Sequence, residues 1–402
     1  MQKTILAVTL CFVSILAPAM TVWADSVNVW TVAPVAITGE FSPVQVDSSG
    51  QAHIAIYDGV GQCLKYAFGS GSSWSFQTID SCCGVGRDAA LSIEPNGRTD
   101  IVYCDGANDD LKQAWSTGSG WNVGTIPGSQ DCSFSGGLCD DPVRGVLMMA
   151  LFGNTSALNH LMLLWQQSGY AWAGPETVDP TNGMGVTSSL AFDPRGNPQV
   201  AYTSSDGILR VAYISNGSWS QYSFSSPIHA TGRVQMALDS QTGDPRIAYY
   251  DPTGGGSINV ACYDNGSWQV TPITTTNASQ NFSMAYDPCT DGYAVCYWDQ
   301  TDGTLRVAGR TGYNGMYSNF DMLVDGGITG GVKDDVGLNP YITLVADNEY
   351  MVSYDDSTGG LLKVAEITKD SPLAPVPEPS GFLILFSGAA VALAVCQRAK
   401  RN

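Results

Sequence analysis

Apolar and aromatic residues fall into short runs ending in tyrosine: "TDIVY" at Tyr103, "PQVAY" at Tyr202, "PRIAY" at Tyr249, "YAVCY" at Tyr297 and "YMVSY" at Tyr354. Ile56 and Leu151 hold the same place in two further runs. The runs are too short for helices and rich in β-branched and aromatic residues, which predicts buried strands. Ahead of six of them an acid is followed three to five residues later by glycine: Asp47 to Gly50, Glu94 to Gly97, Asp141 to Gly145, Asp193 to Gly196, Asp239 to Gly243 and Asp287 to Gly292. Such stretches favour tight turns, so the Tyr run is the second strand of a hairpin. Further on, a Gly/Ser/Asn turn opens onto Trp74, Trp121, Trp172, Trp219, Trp268 and Tyr317, at spacings of 47, 51, 47, 49 and 49 residues. Asn216-Gly217 and Asn265-Gly266 suit type I′ hairpins, whose two central positions need positive φ.

Each unit therefore reads strand-turn-strand-turn-strand-turn-strand, and seven such units of about 47 residues match the period of propeller blades. One four-stranded sheet cannot bury both faces alone, whereas radial stacking of blades does so and leaves short edges. A β-sandwich would not repeat seven times at this period. The seventh unit ends at "LLKVAEITKD" with no tryptophan strand after it, while Trp30 in "VNVWTVAPVAI" stands 44 residues before Trp74. The expectation is an all-β, seven-bladed propeller over 25–369, with the strand through Trp30 completing the last blade and the indoles packing between neighbouring blades.

Composition fits many short strands: 45 glycines, 14% charged residues and 44% hydrophobic residues, which argues against disorder. Residues 25–375 carry 14 basic and 36 acidic side chains, a net charge of −22. A body so acidic repels nucleic acid and anionic membrane, so nucleic-acid partners are excluded, and its charge serves solubility.

The two ends carry a different message. Residues 1–24 have one Lys, an apolar run and a small-residue site at Val22-Trp23-Ala24, the pattern of a secretory signal peptide, and export permits disulfides. At the other end, "VPEPS" (Val376 to Ser380) precedes the apolar run 381–396, "GFLILFSGAAVALAVC", and the basic tail 397–402, "QRAKRN". The 16-residue run is read as a transmembrane helix after a linker over 370–380, near the lower length limit, with its basic end cytoplasmic. These three parts, in this order, resemble the PEP-CTERM sorting tail of Gram-negative bacteria, over the last 27 residues. The resemblance implies that Pro377, Glu378 and Pro379 are recognised by an exosortase-type transpeptidase. The chain would then be anchored in the inner membrane, processed, and delivered to the cell surface or extracellular matrix.

Candidate sites in the body are repeated ones. Two residues past the strand-two tyrosine position lies an Asp in five units (Asp58, Asp105, Asp251, Asp299, Asp356), and seven residues after four of these comes a base: Lys65, Lys112, Arg306 and Lys363. Ser204 and Arg210 hold these places in the fourth unit, Asp251 faces Asn259, and the third unit offers only His160. The expectation is a structural cross-strand pair, worth about 0.2–1 kcal/mol each. Of nine cysteines in the body, Cys82 or Cys83 and Cys132 occupy equivalent connections on neighbouring blades, a candidate disulfide. Scattered histidines (His53, His160, His229) and the absence of a CxxC, HExxH, EF-hand, phosphate loop or nucleophile elbow give no metal, cofactor or catalytic residue. The sialidase Ser-x-Asp-x-Gly-x-x-Trp box is missing too. The unit "SSDGILRVAYISNGSW" (204–219) resembles those of fucose-binding propeller lectins, although no Arg-Glu-Trp set recurs in register. The functional expectation is a non-catalytic surface or matrix propeller presenting loops to protein or polysaccharide. The alternatives are a carbohydrate-binding lectin and, after that, a glycan hydrolase or lyase, whose carboxylate pair would hide among many acids.

Overall fold

The computed structural model describes residues 25–33, 41–81, 84–129, 132–153, 159–167, 171–274, 277–313, 316–329 and 332–369. The signal peptide, the linker with Pro377, Glu378 and Pro379, the apolar run 381–396 and the basic tail lie outside the described residues. Among the described residues no helix is long and apolar enough to cross a membrane.

Seven four-stranded antiparallel sheets follow one another: blade 1 over 44–80, blade 2 over 85–125, blade 3 over 132–179, blade 4 over 184–221, blade 5 over 231–272, blade 6 over 278–326 and blade 7 over 336–368. In blades 1 to 6 strand order equals chain order, so each blade is a meander. In blade 7 the fourth strand is Ser26–Ala33, which pairs antiparallel with Leu361–Thr368 and sets Trp30 opposite Val364. Lys369 Nζ donates to both carboxylate oxygens of Asp25, at 2.7 and 2.6 Å, beside this seam. Circular closure by the N-terminal strand is as the spacing predicted.

The first strand of each blade packs against the first strand of the next around the whole ring, and the strand Val336–Ala346 meets Val44–Val46 at the join. First strands therefore line the axis and fourth strands the rim. Burial follows this order: Tyr103, Tyr202 and Tyr354 on second strands are fully buried, whereas the fourth strand Ser73–Asp80 is mostly exposed. There is no single core. Seven hydrophobic clusters each straddle two neighbouring blades, such as Ile56 and Ala67 with Leu362 and Val364 between blades 1 and 7.

The indoles take the predicted place in these layers. Trp219 of blade 4 donates from Nε1 to Glu176 Oε1 of blade 3 at 2.8 Å, and Trp121 of blade 2 to Gln77 Oε1 of blade 1 at 2.8 Å. Trp268 stacks on Phe224, ring centroids 4.4 Å apart. The hairpins before Trp219 and Trp268 are tight because Asn216 and Asn265 adopt φ of 52° and 50°, with Gly217 and Gly266 at 76° and 82°. The acid-to-Gly turns form as expected: Asp47 Oδ1 accepts the backbone N–H of Ser49 and Gln51, and Asp193 Oδ1 those of Arg195 and Asn197.

One feature of blade stacking was not read from the sequence. A hydrophobic-Gly pair opens the first strands of blades 2, 4 and 7 (Val85-Gly86, Met184-Gly185, Val336-Gly337). At Gly337, φ is 100° and an added Cβ would lie 2.6 Å from the Leu305 Cα of blade 6. Glycine is required there by both the backbone angle and the close approach.

Candidate functional site

The repeated Asp-base positions lie at the second hairpin of each blade, and their first task is local. Asp58 Oδ1 accepts the N–H of Val60 and Gly61, Asp251 Oδ1 that of Thr253, Asp299 Oδ1 that of Thr301, and Asp356 Oδ1 that of Gly359. Three bases reach their expected partners: Lys65 to Asp58 at 2.6 Å, Lys363 to Asp356 at 2.9 Å, and Lys112 to Asp105 at a longer 3.7 Å. The Lys65 ammonium beside Asp58 holds that carboxyl below the usual range. Arg306 departs from the pattern. It donates from Nε to Asp321 Oδ1 at 3.0 Å, on the fourth strand of its own blade, and forms no ion pair with Asp299. The fourth strand Met316–Gly326 brings Asp321 opposite Ala308, close enough to draw the guanidinium across. In blade 4 Arg210 pairs with Asp206 at 3.0 Å.

A second acid was missed. Asp80, Asp179 and Asp325 end the fourth strands of blades 1, 3 and 6 and accept the tyrosine hydroxyl of the following blade: Tyr103 at 2.9 Å, Tyr202 at 2.8 Å and Tyr354 at 2.7 Å. Lys112 and Lys363 also bind these acids, at 2.6 and 3.1 Å. The phenols of Tyr202 and Tyr354 are pushed up by burial and by the carboxylate beside each. The cluster ties blade 1 to blade 2, blade 3 to blade 4 and blade 6 to blade 7. Its sequence signal was visible: "TID", "TVD" and "LVD" follow the aromatic of the fourth strand by six to eight residues.

Cys82 and Cys83 lie outside the described residues, as does the side chain of Cys132. Cys63, Cys139, Cys262 and Cys296 carry free thiols. The turns of blades 6 and 7 bring ligand atoms of Asp287, Cys289 and Asp347 within 4.8 Å of one another, a juxtaposition hidden from spacing arguments. Asp287 is already engaged there, Oδ1 with the Cys289 N–H and Oδ2 with the Asn348 N–H, both at 2.9 Å.

A cleft of about 1010 Å³ lies between blades 3 and 4, at the end of the blades that carries the acid-to-Gly turns and opposite the Asp-base hairpins and the Asp80, Asp179 and Asp325 clusters. Blade 3 supplies Trp165 on its third strand, Glu176 on its fourth and Arg144 from its first turn; blade 4 supplies Ile214, Trp219 and Asn197. Antiparallel register sets Glu176 beside Leu163 and Trp219 beside Ile214, so the two fourth strands face each other across the gap. Trp219 Nε1 donating to Glu176 Oε1 bridges it. Asp141 is buried and used up by its turn, taking the N–H of Val143 at 2.8 Å and of Arg144 at 2.9 Å as well as the Arg144 guanidinium. Arg144 itself is 63% exposed at the rim. The cleft thus combines two half-buried indole faces, an amide, a guanidinium and one carboxylate not committed to a turn. Volume and lining are those of a small-molecule or oligosaccharide subsite.

No protein-family model and no curated protein sequence matches the chain. Solved structures do. An ulvan lyase of polysaccharide lyase family 25, bound to -[GlcA(1-4)Rha3S]-, is 12% identical over 83% of this chain and 94% of its own, with a TM-score of 0.56. AofleA from Arthrobotrys oligospora is 14% identical over 75% of this chain and 90% of its own, with a TM-score of 0.51. A mutant Aleuria aurantia lectin in complex with Fucα1-6GlcNAc is 15% identical over 74% and 100%, with a TM-score of 0.48. The likeness is one of fold.

Proposed function

We propose that the protein is an exported carbohydrate-binding propeller of the cell surface or extracellular matrix, which holds a polysaccharide in the cleft between blades 3 and 4 without cleaving it. The observation that carries this reading is the pair of indoles, Trp165 and Trp219, lining one cleft with Glu176, Asn197 and Arg144. Flat aromatic faces take the apolar C–H face of a sugar ring, while amide, carboxylate and guanidinium groups pair with its hydroxyls. Binding without turnover is supported by the cleft's carboxylates. Glycoside hydrolysis uses two, and Asp141 is consumed by its own turn, which leaves Glu176 alone among the described lining residues. The reading is also supported by the ulvan lyase of like fold, which is bound to -[GlcA(1-4)Rha3S]-.

Affinity electrophoresis of the body in gels cast with matrix polysaccharides tests the reading. Retardation by at least one polysaccharide is expected, with Trp219→Ala abolishing it at unchanged fold. Retardation that survives both Trp219→Ala and Trp165→Ala sinks the cleft assignment, and release of shortened products by the wild-type protein moves the reading to a hydrolase or lyase. Sorting through Pro377, Glu378 and Pro379 by an exosortase-type enzyme belongs to the same proposal. It rests on the resemblance of the segment 376–402 and on the acidity of the body, which keeps it off anionic membrane once released.

A further inference from the structure

Glu176 lies on the fourth strand of blade 3 opposite Leu163, and Trp165 stands two residues along the third strand from Leu163. Opposed residues of an antiparallel pair share a sheet face, as do residues two apart in one strand. Glu176 and Trp165 therefore stand on the side that faces blade 4, where Leu163, Trp165 and Trp219 belong to one hydrophobic layer. Trp219 Nε1 donates to Glu176 Oε1 at 2.8 Å. That bond needs an acceptor and not a charge: between blades 1 and 2, Trp121 Nε1 makes the same bond, also at 2.8 Å, to the amide oxygen of Gln77. Glu176 thus carries a negative charge that the contact between its blade and the next does not require. Among the described lining residues Arg144 is the one base, and its guanidinium is held by the buried Asp141. Two acids against one base leave the lining net negative. Glu176 is exposed and forms no ion pair among the described residues, and the neighbouring stretches 154–158 and 168–170 contain no Lys, Arg or His.

A carboxylate beside indole faces attracts an ammonium twice over, through charge-assisted hydrogen bonds and through the ring quadrupole, and neither gains from a uronate. Asn197, whose Nδ2 donates to Asp193 Oδ2 at 2.9 Å, keeps its carbonyl oxygen as a further acceptor for a group that presents three N–H donors. We infer that the cleft selects an amino sugar with a free amine, whose ammonium pairs with Glu176 while its ring lies against Trp165 and Trp219. The polymer that fits is a polysaccharide of partly or wholly N-deacetylated hexosamine. This inference rests on the reading of the cleft as a polysaccharide site and names the class of sugar that enters it. The acidic body draws such a polycation from a distance and repels a uronate polymer, so the field of the whole molecule and the local charge act in the same direction.

Calorimetric titration of the full-length protein with a linear glucosamine oligomer, its N-acetylated counterpart and an oligogalacturonate of equal length is the test, at constant ionic strength and below the pKa of the sugar amine. The glucosamine oligomer is expected to bind about tenfold more tightly than the N-acetylated one, and the oligogalacturonate most weakly. Glu176→Gln, which keeps an acceptor for Trp219 as Gln77 does for Trp121, should lower the affinity for the glucosamine oligomer to that for the N-acetylated one. Asp302→Asn, which removes one exposed charge from blade 6, should leave the preference in place. A preference that survives Glu176→Gln, or that falls equally in Asp302→Asn, belongs to the acidic body as a whole and overturns the inference. Tighter binding of the N-acetylated oligomer or of the oligogalacturonate, or no binding of the glucosamine oligomer, overturns it too. In each of these cases the cleft reading stands if Trp219→Ala abolishes binding of any of the three. Binding indifferent to both Trp219→Ala and Trp165→Ala overturns the cleft reading and this inference with it.

Discussion

At the residue scale, the polar groups buried between strands govern how the protein responds to pH. Asp355, on the second strand of blade 7, is 6% exposed. Its Oδ2 accepts from Asn339 Nδ2 at 3.0 Å, and its Oδ1 has no partner. Burial pushes its carboxyl up to about 7. The folded state therefore holds a proton that the unfolded chain releases near pH 4, so stability is lost as pH rises from about 4 to about 7 and levels off above. Asp100, pushed up to about 6 by burial, contributes in the same direction. Asp355→Asn keeps the acceptor for Asn339 and removes the charge. Denaturant melts should show it more stable than wild type at pH 8, by on the order of 2–4 kcal/mol, and nearly equal at pH 4. An equal difference at both pH values would refute the role given to Asp355.

At the element scale, one strand does what no turn or side chain can. Ser26–Ala33 supplies the fourth strand of blade 7, and its Val32 is buried in the layer shared with blade 1 while Val27 packs on the layer shared with blade 6. Deleting 26–33 exposes the edge of Leu361–Thr368 and both layers, a loss on the order of 3–6 kcal/mol. The truncated body should melt lower, and a peptide of residues 25–34 added in trans should restore part of the loss. An unchanged melting temperature would show that closure by this strand is dispensable. The hairpin pairs show the same dependence on elements. Lys65 and Lys363 meet the Asp of their own hairpin, whereas Arg306 is drawn to Asp321 because the fourth strand of blade 6 presents an acid there.

At the scale of the whole molecule, the proposed function assigns binding to the acidic propeller and delivery to the segment that follows it. Under the sorting proposal, the run 381–396 holds the chain in the inner membrane with Arg398, Lys400 and Arg401 on the cytoplasmic side. Under the same proposal, prolines at 377 and 379 would favour an extended backbone around Glu378 for a membrane transpeptidase to engage. Glu378→Ala should leave the thermal stability of the body unchanged and trap a membrane-bound, unprocessed form. Intact-mass analysis of surface-released wild-type protein checks the processing step, and Asn402 still attached to the released species would rule it out.

The sequence by itself determined the blade count, the strand order within each blade, the acid-to-Gly and Asn-Gly turns and the circular closure through Trp30. Each of these is local or periodic: turn chemistry acts over a few residues, and burial of both sheet faces forces a period of about 47 residues into a ring. The cleft of blades 3 and 4, the Asp80, Asp179 and Asp325 clasps, the aromatic neighbours of Arg233 and the partner of Arg306 were decided only by the tertiary structure. They join residues of different blades or strands, such as Glu176 with Trp219 and Arg233 with Phe41 and Tyr341. Which side chains meet there depends on how the blades stack. That stacking rests on close backbone approaches such as that of Gly337 to Leu305, which strand periodicity does not encode.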